Sequence, residues 1–100
     1  MDHGPLAGRR YHFSGVGGSG MSPLAQLSAL LGARVGGSDR NFDRGLALPV
    51  FGDLEAAGVA LFSQDGSGVE PNVDALVHST AVEPTNPDFL RAVSLGVPAI

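Results

Sequence analysis

Four glycines lie close together in the stretch 14–21, which reads SGVGGSGM. Gly15, Gly17 and Gly20 have the G-x-G-x-x-G spacing of a dinucleotide-binding loop. Without Cβ atoms, the backbone can turn sharply and approach an anionic group closely. The N–H groups at the start of a following helix can then donate to that anion, and the helix dipole adds to the attraction. The stretch therefore predicts a diphosphate-binding loop; the competing interpretation is that the glycines only make a tight turn.

An acidic residue follows the glycine loop at the sequence separation that is typical of a dinucleotide-binding fold. Asp39 lies 19 residues beyond Gly20, just after the apolar stretch 33–35. A doubly wound α/β fold carries its ribose-binding carboxylate at this position. Because the ribose of UDP and the ribose of a nicotinamide dinucleotide could both donate to Asp39, this residue does not choose between the two ligands.

The elements around these residues alternate between strand and helix. Apolar and turn patterns predict strands near 11–14, 34–37, 59–62, 74–78 and 97–100. They predict helices from 19 or 22 to 31, from 48 or 51 to 57, and from 87 to 95 with Asn86 as N-cap. Segments 40–46 and 63–72 read as loops. The first helix is expected to face the core with its apolar positions, namely Met21, Leu24, Ala25, Leu27, Leu30 and Leu31.

This alternation predicts an α/β, Rossmann-like three-layer domain over residues 10–100, with a five-stranded, mainly parallel sheet. Residues 1–9 are expected to be a flexible lead. Right-handed crossovers place every strand-to-helix loop at one edge of such a sheet. The loops 15–20, 38–44, 63–68 and 79–86 should therefore line one crevice.

Composition excludes several kinds of chemistry. The chain has no lysine, so it cannot form a Walker A loop or a lysine Schiff base. The six arginines are scattered and the net charge is −4, which gives no basic stripe for a nucleic acid. No cysteine is available for a disulfide, and no signal peptide or membrane span is recognisable, so we expect a cytoplasmic location.

Catalytic and metal sites are not predicted. The three histidines, His3, His12 and His78, are too dispersed for a metal motif and read as structural. The candidate nucleophiles Ser19 and Ser79 have no base nearby in the sequence. The loop acids, which are Asp43, Asp65 and Glu83, could act as general bases, but solvated acids are commoner.

Four segments together resemble one family. HFSGVGGSGMSPLAQL, then GGSD, HSTAVEPTNPDF and GVPAI are similar to the first domain of the Mur ligases, over about residues 11–100. The nearest branch joins L-alanine to UDP-N-acetylmuramate, although a ligase for another UDP-muramoyl compound, such as a peptide-recycling enzyme, stays open. The resemblance implies a three-domain ligase of peptidoglycan synthesis. ATP and Mg²⁺ would then bind a central domain outside this chain.

The same resemblance implies which residues bind. Gly15, Gly17, Gly18, Ser19, Gly20 and Met21 would surround the diphosphate of UDP-N-acetylmuramate or a related UDP-sugar. Ser38 and Asp39 would lie near the uridine, and Ser79, Thr80 and Ala81 would approach the nucleotide from the fourth strand. Two other functions stay open: a nicotinamide dinucleotide-binding module of an oxidoreductase, and a stand-alone nucleotide-binding domain.

Overall fold

The computed structural model describes residues 4–79 and 83–100. The order of elements is β1 (Arg10–Ser14), α1 (Met21–Leu30), β2 (Arg34–Ser38), α2 (Arg40–Asp43), α3 (Pro49–Ala56), β3 (Ala60–Phe62), β4 (Ala75–His78) and α4 (Pro87–Leu95). The strands form one parallel sheet in the order β3-β2-β1-β4. The α/β prediction is therefore confirmed. Within the described ranges, no helix is long and apolar enough to cross a membrane.

The prediction of five strands is wrong, because the sheet has four strands among the described residues. After α4 the chain runs parallel to β4, but only Leu76 and Ala99 form a bridge. Leu76 donates its N–H to the Pro98 carbonyl, and Ile100 donates its N–H to the Leu76 carbonyl. Pro98 itself has no N–H to add to the ladder. The segment 97–100 therefore lies beside β4 without forming a strand.

Two cores cover the two faces of the sheet. Phe13 and Val35 pack with α1 and α3 in the larger cluster, whereas Leu76 packs with α4 in the smaller cluster. No helix joins β3 to β4, and residues 63–74 pass from one strand to the other through turns, as the sequence predicts.

Helix α1 does not turn its leucines to the core, contrary to expectation. Its buried residues are Ser22, Ala25 and Ser28, while its exposed leucines are Leu24, Leu27 and Leu30, with Leu30 exposed by 77%. The helix lies against β2, and the face that it buries carries small side chains, which permit a close approach to the sheet.

The start of the predicted loop 40–46 is helical instead. Helix α2 begins after Asp39, whose side chain accepts a hydrogen bond from the N–H of Asn41 at 2.8 Å. This N-cap stabilises a helix of one turn, which is too short to show an apolar period in the sequence. By contrast, α4 begins as predicted, with Asn86 accepting from the N–H of Asp88.

Candidate functional site

A crevice of about 650 Å³ opens where the parallel strands end. All four loops that follow the strands contribute to it, as the topology predicts. Its lining consists of Gly15, Gly17, Gly18, Asp39, Arg40, Asn41, Arg44, Leu48, Phe51, Gln64, Ser79, Glu83, Thr85, Asn86 and Pro87.

The glycine loop is anchored to the end of β2. The N–H groups of Gly15 and Val16 both donate to the Ser38 carbonyl, at 2.8 and 2.9 Å. Gly15 has a φ of +78°, a conformation that glycine adopts without strain. The side chain of Val16 is fully buried against Gly37, where an added Cβ would lie 2.7 Å from it. The loop therefore has a fixed shape.

Two amides at the start of α1 are available to a ligand. Within the part of the chain that the structure describes, the N–H groups of Ser19 and Gly20 donate no hydrogen bond, and both residues are exposed. The next two amides, of Met21 and Ser22, already donate to the Gly18 carbonyl. An anion at this helix start could accept from the two free donors.

Asp39 is held in place by main-chain amides. One carboxylate oxygen accepts from the N–H of Gly17 at 2.9 Å, and the other caps α2 through Asn41. The residue is largely buried yet lines the crevice. Each carboxylate oxygen can accept more than one hydrogen bond, so Asp39 can still receive a ligand hydroxyl while its orientation stays fixed.

The structure brings together only part of the predicted binding set. Gly15, Gly17, Gly18, Asp39 and Ser79 line the crevice, whereas Ser19, Gly20 and Met21 lie beside the lining at the helix start. The Ser38 side chain is fully buried and does not reach the crevice. Thr80 and Ala81 lie outside the described residues.

Sequence reasoning missed two arginines in the crevice. Arg40 and Arg44 lie four residues apart on and just after α2, and both line the crevice. Among the described residues neither forms an ion pair. Their spacing is that of neighbours on one helix face, but only recognition of the short α2 could have revealed it. Glu83 and Asp39 supply the opposing charges of the lining.

Gln64 is another lining residue that the sequence did not single out. Its N–H donates to the Asp43 carboxylate at 2.9 Å, and its side-chain amide donates to Ser14 Oγ at 3.2 Å. Asp43 therefore tethers the loop after β3 to α2. Asp65, on the same loop, accepts from Ser67, whose hydroxyl and N–H both lower the pKa of Asp65.

A buried polar cluster lies directly beneath the crevice; we call its four residues, His12, Ser14, Ser38 and Asp88, the Asp88 cluster. All four are at most 1% exposed. Oδ2 of Asp88 accepts from Ser14 Oγ at 3.1 Å, from Ser38 Oγ, and from His12 Nε2 at 3.3 Å. Burial alone would raise the pKa of Asp88, but hydrogen bonds from His12 and Ser38 outweigh it and lower the pKa. His12 is thus a hydrogen-bonded structural histidine, as predicted.

Known proteins are similar to this chain in sequence and in fold. Residues 10–100 match the family described as "Mur ligase family, catalytic domain". A UDP-N-acetylmuramate–L-alanine ligase of Nitratidesulfovibrio vulgaris (strain DP4) is 39% identical over 92 residues, which cover 92% of this chain and 19% of that protein. The chain thus spans about a fifth of the length of such curated relatives.

Two solved structures are similar in three dimensions. A murein peptide ligase from Psychrobacter arcticus superposes with a TM-score of 0.79 and 28% identity, over 93% of this chain and 19% of that chain. The UDP-N-acetylmuramate-alanine ligase of Thermotoga maritima gives a TM-score of 0.75 and 28% identity, over 90% of this chain and 20% of that chain.

Proposed function

The chain belongs to the Mur ligase family, and we propose that it is the UDP-sugar-binding domain of an ATP-dependent, amide-forming ligase of peptidoglycan synthesis. Its substrate is UDP-N-acetylmuramate or a related UDP-muramoyl compound. The relatives that support this assignment are UDP-N-acetylmuramate–L-alanine ligases and a murein peptide ligase. ATP and Mg²⁺ bind in a further domain of the longer ligase.

The single observation that carries the proposal is the pair of exposed amides at the end of the glycine loop. Among the described residues, the N–H groups of Ser19 and Gly20 have no acceptor at the start of α1, next to a crevice wall made by Gly15, Gly17 and Gly18. A diphosphate can accept from both amides and gain from the helix dipole. In this arrangement Met21 borders the diphosphate from the first turn of the helix.

Charges elsewhere in the crevice suit the rest of the nucleotide. Arg40 and Arg44 offset the negative charge of the phosphates, for which a guanidinium is well matched in geometry. Asp39 accepts a hydroxyl of the uridine ribose. Ser38 supports the site from below, because its carbonyl anchors the glycine loop while its side chain stays buried.

The chain itself is expected to bind without catalysis. It has no lysine that could contact the phosphates of ATP. We therefore expect no ATP-dependent phosphate release by the purified chain above a no-enzyme control. Phosphate release that requires this chain would contradict the domain assignment.

A titration followed by amide chemical shifts tests the ligand. UDP-N-acetylmuramate should shift the amides of Gly17–Met21 and Asp39, and UMP, which lacks the diphosphate, should shift them less. NAD is the competing ligand, because the oxidoreductase interpretation uses the same loop. Shifts at these amides with NAD and none with the UDP-sugar would favour the oxidoreductase instead.

A further inference from the structure

We propose that Asp88 is a positioning residue that holds the four walls of the crevice in their binding arrangement. The inference rests on the proposed function, since it concerns the site that would receive the UDP-sugar. Asp88 itself is fully buried and cannot touch a ligand in the crevice. It acts through the groups that donate to it.

Those donors come from three separate parts of the chain. Oδ2 accepts from β1, through Ser14 and His12, and from the end of β2, through Ser38. Oδ1 accepts from the N–H of Gly66, in the loop after β3, at 2.9 Å. Asp88 itself lies in the first turn of α4. One carboxylate therefore joins β1, β2, the β3 loop and α4.

Each joined segment continues directly into a crevice wall. Ser14 precedes the glycine loop, Ser38 precedes Asp39, and Asp88 follows the lining residues Asn86 and Pro87. The fourth wall is held twice. Gly66 lies two residues beyond the lining residue Gln64, whose side-chain amide donates to Ser14 Oγ at 3.2 Å. A displacement of the carboxylate would therefore move residues in every wall of the crevice.

The chemistry of the cluster requires a carboxylate. Asp88 accepts hydrogen bonds from four groups, which belong to Ser14, Ser38, Gly66 and His12. An ionised carboxylate suits them because it accepts without donating. Because Oδ2 can only accept, His12 carries a hydrogen on Nε2. An asparagine would keep the size but turn an amino group toward donors.

A purely structural contact would not need this charge. Burying an ionised group is costly, and replacing buried ion pairs with apolar side chains of similar volume is often neutral or stabilising. Four donors from three segments converge on one carboxylate, and this arrangement fixes the positions of those segments relative to one another. The Asp88 cluster therefore contributes more to the shape of the crevice than to the stability of the hydrophobic core.

The test compares Asp88→Asn with Val97→Ala in the full 100-residue chain. Val97 is buried in the same core cluster as α4 but follows the opposite end of that helix, away from the crevice. Two measurements are made at a temperature where both variants are folded. One is the set of amide chemical shifts without ligand, and the other is the dissociation constant for UDP-N-acetylmuramate.

We expect Asp88→Asn to shift the amides of Gly17, Asp39 and Gln64, which are not its direct partners, and to weaken binding about tenfold, the size expected for lost hydrogen bonds to a charged group. Val97→Ala should leave these shifts and the dissociation constant unchanged. If Asp88→Asn does not fold, Ser14→Ala removes one donor and should give smaller effects in the same direction.

The two proposals can fail separately. If the unmodified chain does not bind the UDP-sugar, the proposed function fails, and the ligand-free amide shifts alone decide the role of Asp88. Crevice amides that stay at their original shifts in both Asp88→Asn and Ser14→Ala would overturn the positioning role. Equal effects of Val97→Ala on shifts and affinity would overturn it as well, because they would indicate general loosening of the fold.

Discussion

Gly17 is the glycine whose substitution should disturb the crevice most directly. An added Cβ would lie 2.8 Å from Oδ2 of Asp39 and 3.1 Å from Cε1 of Phe51. The φ of Gly17 is not positive, so alanine is compatible with the backbone itself. The cost of Gly17→Ala should therefore come from displacing Asp39.

The magnitude follows from what Asp39 would lose. Its hydrogen bond from the Gly17 N–H is a bond to a charged group, worth about 1.5–3 kcal/mol. If the carboxylate moves far enough, its N-cap bond to Asn41 is lost too, at about 1 kcal/mol. We expect the free energy of unfolding to fall by about 2–4 kcal/mol, measured by urea denaturation followed by circular dichroism.

A double-mutant cycle isolates the cause. In an Asp39→Ala background the main clash is absent, so Gly17→Ala should cost at least about 1 kcal/mol less than it does alone. Gly20→Ala is the matched control, because a Cβ at Gly20 meets nothing within 4 Å and its φ is −92°. Equally mild costs of Gly17→Ala and Gly20→Ala would refute a clash with Asp39, and so would a cost of Gly17→Ala that is the same with and without Asp39.

Three further predictions concern binding and pH. Gly20→Val should abolish UDP-sugar binding in calorimetry without changing the unfolding midpoint, because the new side chain would occupy space beside the free amides. Gly52→Val, at another glycine with open space around it, is the control and should bind normally. An unchanged affinity of Gly20→Val would mean that the loop is only a turn. Arg40→Ala and Arg44→Ala should each weaken binding by about two- to fivefold at low salt, as expected for exposed charges, and by less at high salt. A loss of affinity that does not change with salt would count against phosphate contacts. Because the pKa of Asp88 is lowered from 3.8 in the folded state, its ionised form contributes stability that is present above that value and is lost as pH falls through the folded pKa. The stability advantage of the unmodified chain over Asp88→Asn should accordingly shrink below about pH 4, and an advantage that grows there would contradict the assignment.

Local signals in the sequence predicted the elements that they themselves cap or turn. Asn86 and Pro87 predicted the start of α4, and the spacing of Gly15, Gly17 and Gly20 predicted the turn between β1 and α1. These signals suffice to predict a helix start or a turn because the residues that form it lie within a few positions of each other in the sequence. The edge of the sheet where the crevice opens also followed from the alternation of strand and helix.

Other features depend on partners distant in sequence. Asp88 bonds to Ser38, Ser14 and His12 across 50, 74 and 76 residues, so no local pattern identifies its role. The buried face of α1 was misread for a similar reason. Leucine spacing indicates an apolar stripe, but the face that is buried depends on the sheet, which lies outside the helix, and the small residues of α1 pack there instead.

The packing of Val16 on Gly37 has a consequence for the thermodynamics of recognition. Because this contact and the two hydrogen bonds to the Ser38 carbonyl already immobilise the base of the glycine loop, a ligand would not have to order that part of the backbone. Ordering one residue costs about 1–2 kcal/mol of conformational entropy, so a prefixed loop retains that much more of its interaction energy as affinity. A side chain at position 37 would displace Val16 and release the loop, so it would weaken binding although Gly37 is buried in the sheet.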